Sequence, residues 1–274
     1  MVDFKKKPLP AKAGGKKTPG TAIVPWSEKF AAYAKDAVDS IKGIAGGGVG
    51  VKFGRGKITV AGLEVPGGKL NCVILGQCAM NTWYEAAYDP DDPEAPDCYA
   101  YALTGDDAEM APHPDCANPQ AKLCSECEKN VFGTAAVGRG KACGNNVRIA
   151  LITEGDAEDA ESIGTAEVAT AKISPTNLKR YAGYVKSIAE EDGRPPWAVV
   201  TEISSHDDPK TQIRVEFRKV DAIDDDDILE ALEKKANPDK VQELLQLPFL
   251  AKTEKPAKKV VAGKSQKFAG EKRR

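Results

Sequence analysis

The chain has 274 residues, is 41% hydrophobic and carries a formal net charge of -2, which is enough apolar material for one large or two small cored domains. No apolar run approaches the roughly 20 residues that cross a bilayer, and none follows the Lys5, Lys6, Lys7 cluster, so neither a membrane span nor an export signal is expected. Seven cysteines is an odd number in a chain long enough to fold without staples, which argues against a disulfide framework and for a metal site in a reducing, cytoplasmic compartment; two histidines, His113 and His206, leave little room for imidazole chemistry.

Residues 1–25, rich in Lys, Pro, Gly and Ala, read as a disordered basic arm. From Ser27 the spacing of Phe30, Tyr33, Ala34, Ala37, Val38 and Ile41 predicts one amphipathic helix, ended by Gly43 and the run Gly46, Gly47, Gly48. The next hundred residues are strand-like, with segments near Val49 to Phe53, Ile58 to Val65 and Leu70 to Leu75 set apart by glycine turns. Cys72 and Cys78 fall on or near the last of these and read as buried residues. A strand at Tyr99 to Leu103 precedes about forty loop-like, Cys-bearing residues before Val147 to Thr153 resumes the strand pattern. Further strands are predicted at Glu167 to Ile173, Trp197 to Ser205 and Ile213 to Val220, the last alternating Ile213, Val215 and Phe217 with Arg214, Glu216 and Arg218. Between the first two lies a predicted helix, with Ser174 as N-cap, Pro175 at its first position, and Leu178, Tyr181, Val185 and Ile188 on one side. Asp224 to Asp227 suit the N-terminus of a helix carrying Ile228, Leu229 and Leu232, Val241 to Leu247 reads as a second helix, and residues 251–274 form a basic tail. The main domain is therefore expected over 26–250, mainly β with a few peripheral helices (α+β).

The cysteines cluster in the middle of the chain. Cys124 and Cys127 form a C-x-x-C pair, Cys143 follows, and Cys98 and Cys116 lie upstream. A C-x-x-C knuckle turns two thiolates towards one tetrahedral metal at about 2.3 Å, and two ligands from distant segments complete a closed structural site. Cys98, Cys124, Cys127 and Cys143 are the expected Zn²⁺ ligands, with Cys116 and His113 as substitutes, chiefly for Cys98. The stretch from Asp106 to Gly144 has few large apolar residues, so a zinc subdomain at about 98–146 would draw its folding energy from the metal. A redox C-x-x-C would sit at a strand-to-helix junction of an α/β pattern, whereas this one lies between loops. Four thiolates leave no open position for substrate, so the site is scaffold rather than catalyst.

What the scaffold would present is an aromatic among glycines and cations: Val131-Phe132-Gly133-Thr134, then Gly138-Arg139-Gly140-Lys141. Trp83, Tyr84, Tyr99 and Tyr101 lie in the flanks, with Arg148 on the strand that follows and Lys52, Arg55 and Lys57 around an upstream glycine turn. Aromatics that stack on bases, interleaved with cations that follow phosphates, suit a single-strand binder; the same tyrosines suit a core, and the same cations an ordinary hairpin tip.

The segment Cys124-Ser-Glu-Cys127 to Asn130-Val-Phe-Gly133, then Gly140-Lys-Ala-Cys143 and Arg148-Ile-Ala-Leu-Ile152, resembles phage single-stranded DNA-binding proteins and, more distantly, is similar to the zinc-containing helix-destabilising protein of T4-type phages. The likeness covers about residues 98–220. It implies an OB-like barrel with an inserted Cys-ligated zinc subdomain, largely sequence-independent binding of single-stranded DNA in replication and recombination, replication or recombination proteins as further partners, and a host-cytoplasmic location. The T4-type protein uses one histidine with three cysteines and ends in an acidic tail, whereas this chain offers four cysteines and ends in Lys255 to Arg274. The alternative is a zinc-stabilised phage transcription or structural protein that grips a protein partner. No phosphate loop, nucleophile with a His partner or H-E-x-x-H motif is present, so no enzyme is expected.

Overall fold

The computed structural model describes residues 49–86, 95–136 and 138–246. The predicted basic arm, the predicted helix from Ser27 and the basic tail lie outside them. β1 (Val49–Gly54) and β2 (Lys57–Val60) form an antiparallel hairpin. The single strand expected up to Val65 is split, because Ala61 and Gly62 take positive φ (51° and 83°) and turn the chain into β3 (Leu63–Glu64). β4 (Lys69–Trp83) runs 15 residues, far past Leu75.

It is followed by β5 (Cys98–Ala102), β6 (Gly144–Thr153), β7 (Ala169–Ile173), β8 (Val199–Asp208) and β9 (Gln212–Ala222). These strands make one mixed sheet in the order β3-β2-β1-β7-β6-β4-β8-β9, with β5 added on β4. β1 and β7 are parallel; the other pairs are antiparallel. The sheet bends until β8 approaches the first hairpin, where Ser205 Oγ donates to the Gly54 carbonyl and Arg55 pairs with Asp207.

β4 explains both the length and the obscured pattern of that strand. Cys72 and Ile74 face a core with Val51, Ile58, Ile149, Leu151 and Ile203, while Val73, Leu75 and Cys78 face a second core with Ala150 and Ile152. Each fully buried aliphatic side chain contributes about 1.5–3 kcal/mol, so both faces of the sheet demand apolar residues.

The helices close the two cores. α2 (Leu178–Ser187) buries Tyr181 and Tyr184 in the first. Ser174 precedes it but caps no backbone N–H; its Oγ accepts from Asn177 Nδ2 at 2.9 Å, and Asn177, 2% exposed, also takes the Val215 N–H at 3.0 Å, stitching the helix start to β9. α1 (Ala160–Thr165), which the periodicity did not predict, joins α3 (Asp226–Lys235) and α4 (Pro238–Leu245) over the second core through Ile163, Leu232, Val241 and Leu245. The acidic run works as expected: Asp225 accepts the N–H groups of Asp227 and Ile228, with Asp226 and Asp227 in the first turn. α4 begins three residues before Val241, with Pro238 at its start and Asn237 capping Lys240 N–H. Among the described residues no helix is long and apolar enough to cross a membrane.

Candidate metal centre and nucleic-acid interface

Strand pairing delivers the first thiol. Cys98 opens β5 opposite Trp83, the last residue of β4. Cys124 and Cys127 frame one 3-10 turn (Cys124–Glu126), and a second (Glu128–Asn130) follows directly. Backbone bonds pin these turns: Cys124 N–H donates to Met110 O at 2.7 Å, Asn130 N–H to Cys127 O at 2.9 Å and Cys143 N–H to Lys129 O at 2.8 Å. The last of these draws the residue before β6 back to the knuckle.

Cys98, Cys124, Cys127 and Cys143 thus line one small cavity of about 10 Å³, together with Asn81 and Lys129. Burial first, and the neighbouring thiols second, push Cys143 up to about 12; Lys141 works weakly against this. Burial also raises Cys98 and Cys124, with further thiols adding to the effect, opposed by the Gln120 N–H at Cys98 and by Asn81 at Cys124. Cys98, Cys124 and Cys143, each held protonated by burial and by neighbouring sulfur, would ionise together only if a cation supplied the opposing charge. All seven cysteines are free thiols. Among the described residues no group of three or more His, Cys, Asp or Glu side chains stands ready to hold a metal ion, so the four thiols share a cavity without forming a finished coordination sphere.

The two substitutes are engaged elsewhere. Cys116 Sγ donates to the Tyr99 carbonyl at 3.0 Å and accepts the Tyr99 N–H at 3.2 Å, touching the cluster through a hydrogen bond with Cys98. His113 stacks on Tyr99 with ring centroids 5.1 Å apart, and its Nδ1 lies 3.2 Å from the Tyr99 hydroxyl. Cys98 is the one that reaches the cavity wall.

The predicted nucleic-acid residues separate into three groups. Around the knuckle, Phe132 is 78% exposed, with Lys141 Nζ 5.1 Å from its ring centroid and exposed Arg139 nearby in sequence. Gly133 and Gly138, both at positive φ (91° and 82°), let the tip turn there. Trp83 is half-buried with Lys129 Nζ 5.4 Å from its centroid, and Tyr84 beside it is exposed.

The second group lies on the opposite side of β4 and β5 by strand alternation. Tyr99 is buried, and Tyr101 is half-buried with its hydroxyl 3.4 Å from Arg148 Nη1. Arg148 also donates to the Leu245 carbonyl at 3.0 Å, which ties α4 down. Register sets Lys172 beside Arg148, and exposed Lys52 follows Val51, the partner of Ala171. Lys172 is exposed at the surface, and the dense sheet around it desolvates its ammonium enough to hold it below the usual lysine range.

In the third group, Arg55 and Lys57 sit at the first hairpin tip and pair with Asp207 and Glu64 at 3.7 and 3.0 Å, an ordinary balanced turn. Sequence reasoning missed Lys172, Lys129 and the asparagines Asn81, Asn130 and Asn145. Alternation from Trp83 back to Asn81 was the only trace of that set in the sequence, since the rest depends on which strands pair. Comparison of the chain with protein-family models, curated proteins and solved structures returns no match.

Proposed function

We propose that the chain is a single-stranded DNA-binding protein of low sequence preference, built on an OB-like barrel whose inserted subdomain is organised by a structural Zn²⁺. Cys98, Cys124, Cys127 and Cys143 would hold the metal, whose contribution is folding energy for a loop poor in apolar residues. The OB-like reading is supported by the succession β4, β6, β7, α2, β8, β9, with β4 paired to both β6 and β8 and the helix between β7 and β8. On the resemblance described above, the setting is replication and recombination of phage DNA.

The observation that carries the binding reading is the knuckle tip, where an almost bare phenylalanine keeps a lysine on one ring face and is followed by Arg139 in a glycine-rich turn. One open ring face and adjacent cations are what a stack of unpaired bases and their phosphates require. Titration of the zinc-loaded protein with oligo-dT should quench tryptophan fluorescence, with a log-log salt slope of about -0.7 per phosphate neutralised. Equal or tighter binding to duplex without quenching would remove the proposal.

A protein-binding role has one observation in its favour. A groove between α1, α3 and α4 is floored by Val168, Ala231, Val241 and Leu244 and edged by Lys234 and Lys240. That reading predicts a specific protein partner and little affinity for random oligonucleotides.

A further inference from the structure

Three asparagines run from the thiol cavity to the exposed aromatic. Register sets Asn81 on β4 opposite Asn145 on β6, and Asn145 Nδ2 donates to Asn81 Oδ1 at 2.6 Å and to Asn130 Oδ1 at 3.0 Å. At the inner end Asn81 hydrogen-bonds the Cys124 side chain, and Asn130 Nδ2 donates to the Cys124 carbonyl at 2.9 Å. At the outer end Lys141 Nζ donates to Asn130 Oδ1 at 3.2 Å while standing 5.1 Å from the Phe132 centroid.

The Asn130 carbonyl therefore accepts from two donors, which fills its lone pairs. Its amide group is fixed from the other side by the knuckle backbone. A lysine head group otherwise explores many rotamers and must give up side-chain entropy to settle in one place. Here an oxygen and a ring already define that place, and the ring face away from Lys141 is left for a base.

We propose that Asn130 is a positioning residue for nucleic-acid binding: anchored at Cys124, its carboxamide holds Lys141 against Phe132, so that a stacking face and a phosphate-seeking cation meet the strand in fixed geometry. The inference rests on the single-strand reading above. It assigns a role to a side chain that is neither a metal ligand nor a surface group free to move.

The test compares the zinc-loaded full chain with Asn130→Ala and Asn130→Asp, reading metal stoichiometry, oligo-dT affinity at several salt concentrations, and the NMR shift of the Lys141 ε-methylene protons, which lie in the ring current of Phe132. Asn130→Ala should keep its metal, return the Lys141 shift to that of a free lysine and weaken oligo-dT binding about fivefold, the worth of one ordinary hydrogen bond. The salt slope should stay unchanged, because the cation is loosened rather than removed. Asn130→Asp keeps an accepting oxygen but sets its second oxygen against the Cys124 carbonyl, so it should lose the anchor and, with it, the ring-current shift. Should the alanine variant shed metal, the aspartate variant still decides the matter, since a retained shift there would overturn the anchoring at Cys124. An unchanged shift and affinity in metal-loaded Asn130→Ala would also overturn it. If the unmodified protein ignores oligo-dT while the shifts behave as stated, the positioning stands and the choice of ligand falls.

Discussion

Replacing Phe132 with alanine isolates binding from folding. At 78% exposure the ring contributes almost nothing to either core, and its described contact is the Lys141 ammonium at 5.1 Å. An exposed cation–π contact is worth about 0.5–1 kcal/mol at most, and surface substitutions of this kind usually leave stability within about 0.5 kcal/mol. The urea midpoint and metal content of the variant should therefore match the parent. Stacking of one base on an aromatic contributes about 1–3 kcal/mol, so affinity for oligo-dT should fall between about fivefold and about 150-fold. Fluorescence anisotropy with a labelled oligonucleotide at fixed salt measures it directly. The salt slope should hold, because no cation has been deleted, while Arg139→Ala should make the slope shallower by about 0.7. Parent-like affinity in Phe132→Ala would refute the tip as the stacking site, whatever the metal content.

Other expectations test the scaffold. Cys143→Ser should abolish stoichiometric zinc and open residues 103–136 to limited proteolysis while the far-ultraviolet spectrum keeps its strand signature; a variant with full metal and parent stability would remove Cys143 from the ligand set. Leu151→Ala, at a side chain with 0% exposure in the first core, should cost about 2–5 kcal/mol, read as a lower urea midpoint at constant slope. Gly76→Ala should destabilise by about 1–3 kcal/mol, since a Cβ there would meet Val241 Cγ1 at 2.6 Å and force α4 off the strand; unchanged stability would mean that the contact yields easily. The Asp159 carboxyl, held below the usual carboxylate range chiefly by the Ser162 N–H and then by the Ser162 hydroxyl, caps α1. Its contribution is fully present above the unfolded aspartate value and disappears as pH falls through the lower folded one, so Asp159→Ala should differ from the parent in thermal melting at neutral pH and converge with it under strong acid.

Much of the strand content was legible because β5, β6, β7 and β9 carry local apolar patterns. β4 was underread for a physical reason: with one core on each side of the sheet, Cys72 to Leu75 are all buried, and a period of two leaves no polar residue to mark it. The split at Ala61 was hidden as well, since alanine rarely takes positive φ. α1 is only six residues long and shows no apolar stripe, so its cap at Asp159 was its main sign. The C-x-x-C spacing marked Cys124 and Cys127, with Cys143 after them, but left Cys98 open to replacement by Cys116 or His113, because the placing of those two at Tyr99 depends on the β4–β5 register. Phe132 stood out among glycines, but Asn130 did not, because its importance comes from partners 6, 11 and 15 residues away.

β4 links the body to the thiols without a hinge, and this has a consequence for its tolerance of insertions and deletions. Its odd-numbered residues from Ala79 to Trp83 look towards Cys98 and Ala100, while Met80 and Thr82 look towards the tyrosines. Losing a single residue between Gln77 and Ala79 would swap those two audiences: a methionine and a threonine would be presented to the cysteines, and Asn81 and Trp83 to the other side. Substitutions along this stretch are graded injuries, but a frame slip of one is not, and an otherwise intact sheet would then carry a knuckle with nothing to stand on.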